Sequence, residues 1–299
     1  MILSTLRGAM GALSRRKAVE FSALLFLGMG LTGLAQAEEE LMDLDKVKAS
    51  GVLKVAVYKD FAPFSDGKDG NVKGLDVSIG KALADKLGLR MQLLPFYADE
   101  NMHDDLRNMV WKGHYLGFGP ADVMMHVPVD RYLVDENPQT MIFGAYMREQ
   151  PVVLHDLRKI EKVTHPEDLK GFKLTAERGA GTASMLLGHG GGMLREQVSI
   201  LNTGVDAAQA VVDGKAAASF ITRAQAEAVL ANVKEGRENF ALSQVTMGGM
   251  PTRGWPIGMA IKSKNKELGL ALDAALRELQ ASGELLAIFK EHHLTLTAP

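Results

Sequence analysis

The chain has 299 residues, 46% hydrophobic and 23% charged, an ordinary globular composition with enough material for two modest lobes. Cysteine is absent, which excludes disulfides, thiol catalysis and thiolate metal ligation. A formal net charge of −2, with no run of Lys or Arg in the body of the chain, argues against nucleic acid as a partner.

The N-terminus reads as an address. Arg7, Arg15, Arg16 and Lys17 precede a continuously apolar or small run from Phe21 to Leu34, and Ala35-Gln36-Ala37 fits a small-x-small cleavage site. The pattern predicts a secretory signal over residues 1–37, cleaved after Ala37, and a periplasmic protein. Ser14-Arg15-Arg16 faintly resembles a twin-arginine signal, so Sec and Tat export both stay open. Cleavage removes four positive charges and one negative, which takes the net charge from −2 to −5.

Glu38 to Val47 is a charged lead-in, and Val52 to Tyr58 alternates with β-rich residues and predicts a strand. Leu75, Ile79, Leu83 and Leu87 recur every fourth residue up to Gly88, the pattern of an amphipathic helix with a glycine stop. A strand over Arg90–Phe96, a helix over Asp104–Gly113 and an apolar strand over Ala121–Val127 follow. Ile142 to His155 is a long β-like run broken by Arg148-Glu149-Gln150-Pro151, which reads as a crossing segment. The alternation then restarts with strands at Phe172–Glu177, Val198–Leu201 and Ala217–Ile221, each followed by a helix, the last over Arg223–Val233. After glycine-bearing breaks, a strand begins at Ile257, and a helix carries Leu268, Leu272, Leu276 and Leu279 on one stripe. A last helical piece runs from Glu284 to His292.

Alternation of this kind predicts an α/β fold of two lobes, each a doubly wound sheet with flanking helices. The expected division is lobe 1 from residues 38–147 plus 254–299 and lobe 2 from 148–253. Two crossings would leave an interlobe cleft, a usual place for a small ligand.

The stretch LKGFKLTAERGAGTASMLL, Leu169 to Leu187, places Gly179-Ala180-Gly181 between a strand and a helix. Free N–H groups and the positive helix end suit an anion there. A well-capped turn with Thr182 as N-cap accounts for the same residues.

Three segments resemble the extracellular solute-binding proteins of amino-acid type that feed ABC transporters. They are YKDFAPFSDGKDGNVKGLDVSIGKALADKL from Tyr58, Glu167–Gly171 with Gly179–Ser184, and Ile257–Phe289 ending SGELLAIF. The resemblance implies a type II periplasmic clamshell that closes on a small molecule without chemistry or cofactor, as a monomer partnered by an ABC permease. By the same resemblance Tyr58, Phe61 and Tyr97 would meet the ligand, the last two by stacking. His126, the Val127 backbone and Arg131 would contact it from lobe 1. Gly181, Thr182 and Arg223 would hold a carboxylate or other negative end from lobe 2. Thr222 stands where the family's ammonium-pairing aspartate falls, so the ligand expected here is an anion rather than an α-amino acid.

PFYADENMHDDLRNMVWKG with GPADVMMHVP is similar to the branch of these proteins associated with periplasmic PQQ-dependent alcohol dehydrogenases of methanol type. That likeness implies an accessory protein with a dehydrogenase or cytochrome partner. Met102, Met109, Met124, Met125, Met141 and Met147 cluster in lobe 1 as core filler or as an adaptable partner surface. A third reading is a cyclohexadienyl-dehydratase-like enzyme, in which Glu177 or His126 would act as acid or base. No HxH or HExxH spacing points to a metal, and His189-Gly190-Gly191-Gly192 lacks a GxSxG partner.

Overall fold

The computed structural model describes residues 43–67, 71–249 and 253–299; the expected signal segment 1–37 lies outside them. The described chain opens with α1 (Asp43–Ser50), where the sequence suggested only a charged lead-in, and continues into β1 (Val52–Tyr58). Next come α2 (Leu75–Lys86), β2 (Arg90–Phe96) and α3 (Met102–Leu106), whose cap Asn101 accepts a hydrogen bond from the Asp104 N–H. A widened π-type turn over Arg107–Trp111 extends α3 before β3 (Val123–Pro128) and the short α4 (Arg131–Glu136).

The long β-like run resolves into β4 (Thr140–Glu149) and β5 (Pro151–Asp156), separated by Gln150 alone. The second half holds β6 (Leu174–Glu177), α5 (Gly181–Gly192, interrupted at His189–Gly191), β7 (Val198–Leu201) and α6 (Gly204–Val212). It ends with β8 (Ala218–Thr222), α7 (Arg223–Leu230) and β9 (Phe240–Ser243). The chain returns through β10 (Trp255–Lys262), α8 (Lys266–Ala281) and α9 (Glu284–Glu291).

These strands form two five-stranded mixed sheets, ordered β2-β1-β3-β10-β4 and β7-β6-β8-β5-β9. β4 and β5 are consecutive in sequence yet lie in different sheets, because the chain crosses at Gln150 and crosses back before β10. The expected α/β class with two doubly wound sheets is therefore the observed one.

Helical spacing explains the packing. Leu75, Ile79 and Leu83 of α2, Leu272, Leu276 and Leu279 of α8 and Phe289 of α9 are all buried on one face of the first sheet. Each such side chain contributes about 1.5–3 kcal/mol of transfer free energy. Leu106, Met109 and Val110 cover the other face. Met109, Met124, Met125 and Met147 are fully buried, so these methionines are core filler and offer no partner surface. Among the described residues, no helix is long and apolar enough to cross a membrane.

The register of β10 bends the sheet locally. Ala260 pairs with Met124 and Gly258 with Val127, so β3 carries one residue more than β10 over that interval. On the other side, Met259 pairs with Phe143 and Ile257 with Met147, so β4 carries two more. Such bulges re-aim side chains. Here they turn His126, at a left-handed φ of 60°, and Tyr146, two residues beyond Gly144 at φ 61°, toward one point.

Candidate functional site

That point is Asp76, in the first turn of α2. Its carboxylate accepts from the Tyr146 hydroxyl at 2.6 Å and meets His126 Nδ1 at 2.9 Å, while the His126 N–H donates to the Tyr146 oxygen at 3.1 Å. All three residues are buried. Burial alone would push the His126 pKa down, but Asp76, with help from Glu149, outweighs it and raises it to about 10. Burial, followed by the Asp76 charge, holds the Tyr146 hydroxyl well above its ordinary value. The imidazole also packs against Phe61 and Phe64, with ring centroids 4.7 and 4.3 Å away.

His126 forms part of the floor of a cavity of about 700 Å³. The size suits a small organic molecule. Its walls come from the C-terminal ends of parallel strands in both sheets: Tyr58 of β1 and His126 of β3 on one side, Glu177 of β6 and Thr222 of β8 on the other. Open α/β sheets bind ligands at such edges.

Tyr58 is held by its hydroxyl, which donates to Asp105 Oδ2 at 2.7 Å, and Asp105 Oδ1 in turn accepts from the Asp99 N–H at 2.8 Å. Burial, reinforced by the Asp105 charge, lifts the Tyr58 pKa well above the usual phenol value. Across the cavity, the Thr222 N–H donates to Gln225 Oε1 at 3.1 Å in a capping box that starts α7. Gln225 Nε2 then donates to Glu177 Oε2 at 2.8 Å. Burial raises the Glu177 pKa; the bonds from Gln225 and the Gly204 N–H oppose that, and the Glu149 charge adds to it.

The expected ligand-contacting residues divide into two groups. Tyr58, Phe61, His126, Gly181 and Thr182 line the cavity together. Helix α5 begins at Gly181 with Ala180 as its cap, so Thr182 lies inside the first turn rather than at the N-cap. Tyr97, Val127, Arg131 and Arg223 are elsewhere, and each displacement has a local cause. Tyr97 is 63% exposed and holds the Lys59 ammonium over its ring at 5.0 Å. Val127 is fully buried in the sheet core, in register with Gly258. Arg131 is the first residue of α4 after its cap Asp130; its side chain points to solvent, 3.7 Å from Asp135.

Arg223 faces the opposite side of the crossing. Its N–H donates to the Gln150 carbonyl at 2.8 Å, its Nε to Gln150 Oε1 at 3.1 Å, and its Nη1 approaches Glu227 at 3.5 Å. As the first residue of α7 it projects away from the cavity, which its cap Thr222 faces instead. Arg223→Ala is therefore expected to cost about 1 kcal/mol of stability through the lost hydrogen bonds, without changing ligand affinity. Denaturant melts and calorimetric titration of the same preparation would check both halves.

Sequence reasoning missed Glu149 entirely. It ends β4 at the crossing and lines the cavity, with Oε2 3.7 Å from His126 Nε2. With Asp60, Asp99, Glu100 and Glu177 it makes five carboxylates on the walls, against Lys59 and Arg178 as the fixed cations. Among the described residues, no group of three or more acidic or histidine side chains is placed to hold a metal ion.

No family model matches the chain. Among curated proteins, it is 36% identical to cyclohexadienyl dehydratase of Pseudomonas aeruginosa over 74 residues, 24% of this chain and 27% of that one. It is 31% identical to membrane-bound lytic murein transglycosylase F of Photobacterium profundum over 77 residues, 26% of this chain and 15% of that one. The matches thus span well under a third of either relative's length.

Solved structures align over far more of the chain. An amino acid ABC transporter substrate-binding protein from Streptococcus pneumoniae, bound to L-arginine, superposes with a TM-score of 0.61 at 19% identity, covering 86% of this chain and all of the other. An ancestral cationic amino acid solute-binding protein gives 0.63 at 20%, covering 84% and 99%. At such identities the likeness is one of fold: the two-lobed architecture of ABC-transporter substrate-binding proteins.

Proposed function

We propose that the protein is a non-enzymatic solute-binding protein, exported to the periplasm, that closes on a small molecule for an ABC permease. In this reading lobe 1 comprises residues 38–147 and 254–299, and lobe 2 comprises 148–253. The observation that carries it is the cavity of about 700 Å³ built from strand ends of both sheets, in the fold of substrate-binding proteins. Closure would bring the two walls onto the ligand, with Phe61 packing on it from one side. The N–H groups at Gly181 and Thr182, beside Arg178, would take an anionic group of the ligand. Closure can be driven only by the difference in ligand affinity between open and closed states.

The test is mass spectrometry of small molecules released when natively purified protein is denatured, followed by calorimetric titration of the released compound. One near-stoichiometric compound that rebinds the stripped protein is the expected result. Release of nothing, with no thermal shift from a broad panel of carboxylates and amino acids, would remove the reading.

A second reading, an accessory protein of a periplasmic PQQ-dependent dehydrogenase, has one observation in its favour. Tyr115 and Leu116 stand 88% and 69% exposed on the turn between α3 and β3, beside the half-exposed Phe118. Aromatic exposure of this kind suits a partner surface. Co-purification with a dehydrogenase or its cytochrome that Tyr115→Ala abolishes would support it, whereas recovery of a permease alone would count against it. The dehydratase-like reading rests on Glu177 and His126 sharing the cavity, and turnover of a prephenate-like acid would be its signature.

A further inference from the structure

The cavity gathers carboxylates at the C-terminal ends of the parallel strands, and the opposite end of the first sheet gathers cations. β2, β1 and β3 all start at that end, and the antiparallel β10 finishes there. Arg90 opens β2 in register with Val52, Lys54 exchanges a backbone bond with Asp122 just before β3, and Lys262 closes β10. Lys264 follows in the turn to α8, and Lys112 ends the π-type turn on the way to β3. Neighbouring strands lie about 4.8 Å apart, so these four adjacent strand ends span about 15 Å. Arg90, Lys54, Lys112 and Lys264 are exposed and Lys262 is half-buried. Among the described residues, none of the five forms an ion pair. Acids at this end are already engaged. Asp122 accepts from the Lys54 N–H at 2.7 Å, Asp43 accepts from the Leu268 N–H at 3.0 Å, and Glu267 sits in the first turn of α8, where the positive helix end favours it. In a chain of net charge −2, such a cluster is a separation of charge along the sheet.

An apolar turn stands among these cations. The His114 N–H donates to the Phe118 carbonyl at 2.9 Å, the Gly117 N–H to the His114 carbonyl at 2.9 Å, and the Leu116 N–H to His114 Nδ1 at 3.1 Å. The Phe118 ring stacks on the His114 imidazole with centroids 4.1 Å apart. The turn is thus closed on itself, and Tyr115 and Leu116 are left outward, 88% and 69% exposed. Backbone donors satisfied from within are what a segment needs before it leaves water. Tyr and Trp rings settle at the depth of lipid headgroups, with apolar side chains below them.

We infer that this end of the first sheet docks on an anionic phospholipid surface, with Tyr115 and Leu116 entering the headgroup region and the five cations lying over lipid phosphates. The same turn supports the dehydrogenase reading, and the cations around it decide between the two. Lys is depleted in protein–protein interfaces, whereas anionic headgroups draw both Lys and Arg. Docking requires only that the protein meets a bilayer, so it stands apart from what the cavity holds.

The test is flotation with vesicles of phosphatidylcholine alone and with vesicles that carry about 30% phosphatidylglycerol. It uses residues 38–299, the form expected after signal cleavage, so that the apolar run from Phe21 to Leu34 does not itself bind lipid. The anionic vesicles are expected to carry about ten-fold more protein, and raising salt from about 0.05 M to about 0.5 M should remove most of that difference. Tyr115→Ala combined with Leu116→Ala should lower the bound fraction about ten-fold, and so, independently, should Lys112→Gln combined with Lys264→Gln. All four side chains are exposed, so an unchanged Tm confirms that each variant is folded, and failure of one leaves the other to decide. Absence of binding to either vesicle, equal binding to both, or flotation of both variants like the unsubstituted protein would overturn the inference. Dehydrogenase co-purification that Tyr115→Ala abolishes, with no vesicle binding, would assign the turn to a protein partner instead.

Discussion

Asp76→Asn is expected to lower the stability of the protein by about 3 kcal/mol, the low end of the range for removing one member of a buried ion pair. The substitution keeps the shape of the side chain and removes its charge. It leaves His126 buried between Phe61, Phe64 and Glu149 with no close counter-ion on Nδ1. The cost stays at the low end because an imidazolium, unlike a guanidinium, can shed its proton. For a described body of this size, that loss corresponds to a fall in Tm of roughly 6–12 °C. A fall of a degree or less would mean that the cluster is not ionised as described.

The pH dependence supplies an independent check. His126 has a folded pKa of about 10, above the ordinary 6.5. A group raised on folding contributes stability that is fully present below its unfolded pKa and is lost as pH rises through the folded one. The urea midpoint of the unsubstituted protein should therefore fall between about pH 6.5 and about pH 10, and Asp76→Asn should flatten that fall. Equal slopes in both proteins would assign the alkaline loss to other groups.

Why Asp76, His126 and Glu149 form one unit could not be read from the chain. Periodicity revealed what local chemistry decides: Leu75, Ile79 and Leu83 as one helix face, Gly88 as its stop, and the alternation of strands with helices in both halves. The crossing was legible too, since Arg148-Glu149-Gln150-Pro151 interrupts a β-rich run that would otherwise be one long strand. Side-chain direction was not. His126 and Tyr146 reach Asp76 only because β3 and β4 bulge against β10, and bulges depend on register between segments more than a hundred residues apart. Arg131 and Arg223 carried the right charge for an anion site, but each opens a helix whose cap residue aims it elsewhere. Glu149 and Glu177 are lone carboxylates at two strand ends, and nothing in either neighbourhood places them on one cavity until the two sheets share it.

Gly254→Ala is the substitution expected to disturb that shared cavity from outside it. Gly254 precedes β10 on the return crossing and sits at φ 70°. A Cβ there would lie 1.7 Å from the Glu149 carbonyl oxygen and 2.9 Å from the Gln150 Cα, both backbone atoms that cannot rotate aside. The left-handed conformation costs an alanine about 1–2 kcal/mol. Relief of the overlap adds about 1–3 kcal/mol more, as for other overpacked sites. Gly88→Ala isolates the first contribution, because its φ is 69° and nothing lies within 4 Å of the added methyl. The difference between the two variants in denaturant melts thus measures the steric contact at the crossing, and the Gly254 variant should be the less stable by about 1–3 kcal/mol. The relief must move the backbone of Glu149, whose carboxylate lies on the cavity wall, so ligand affinity should fall with stability in Gly254→Ala and not in Gly88→Ala. Equal stabilities would show that the backbone at the crossing gives way freely to the added methyl.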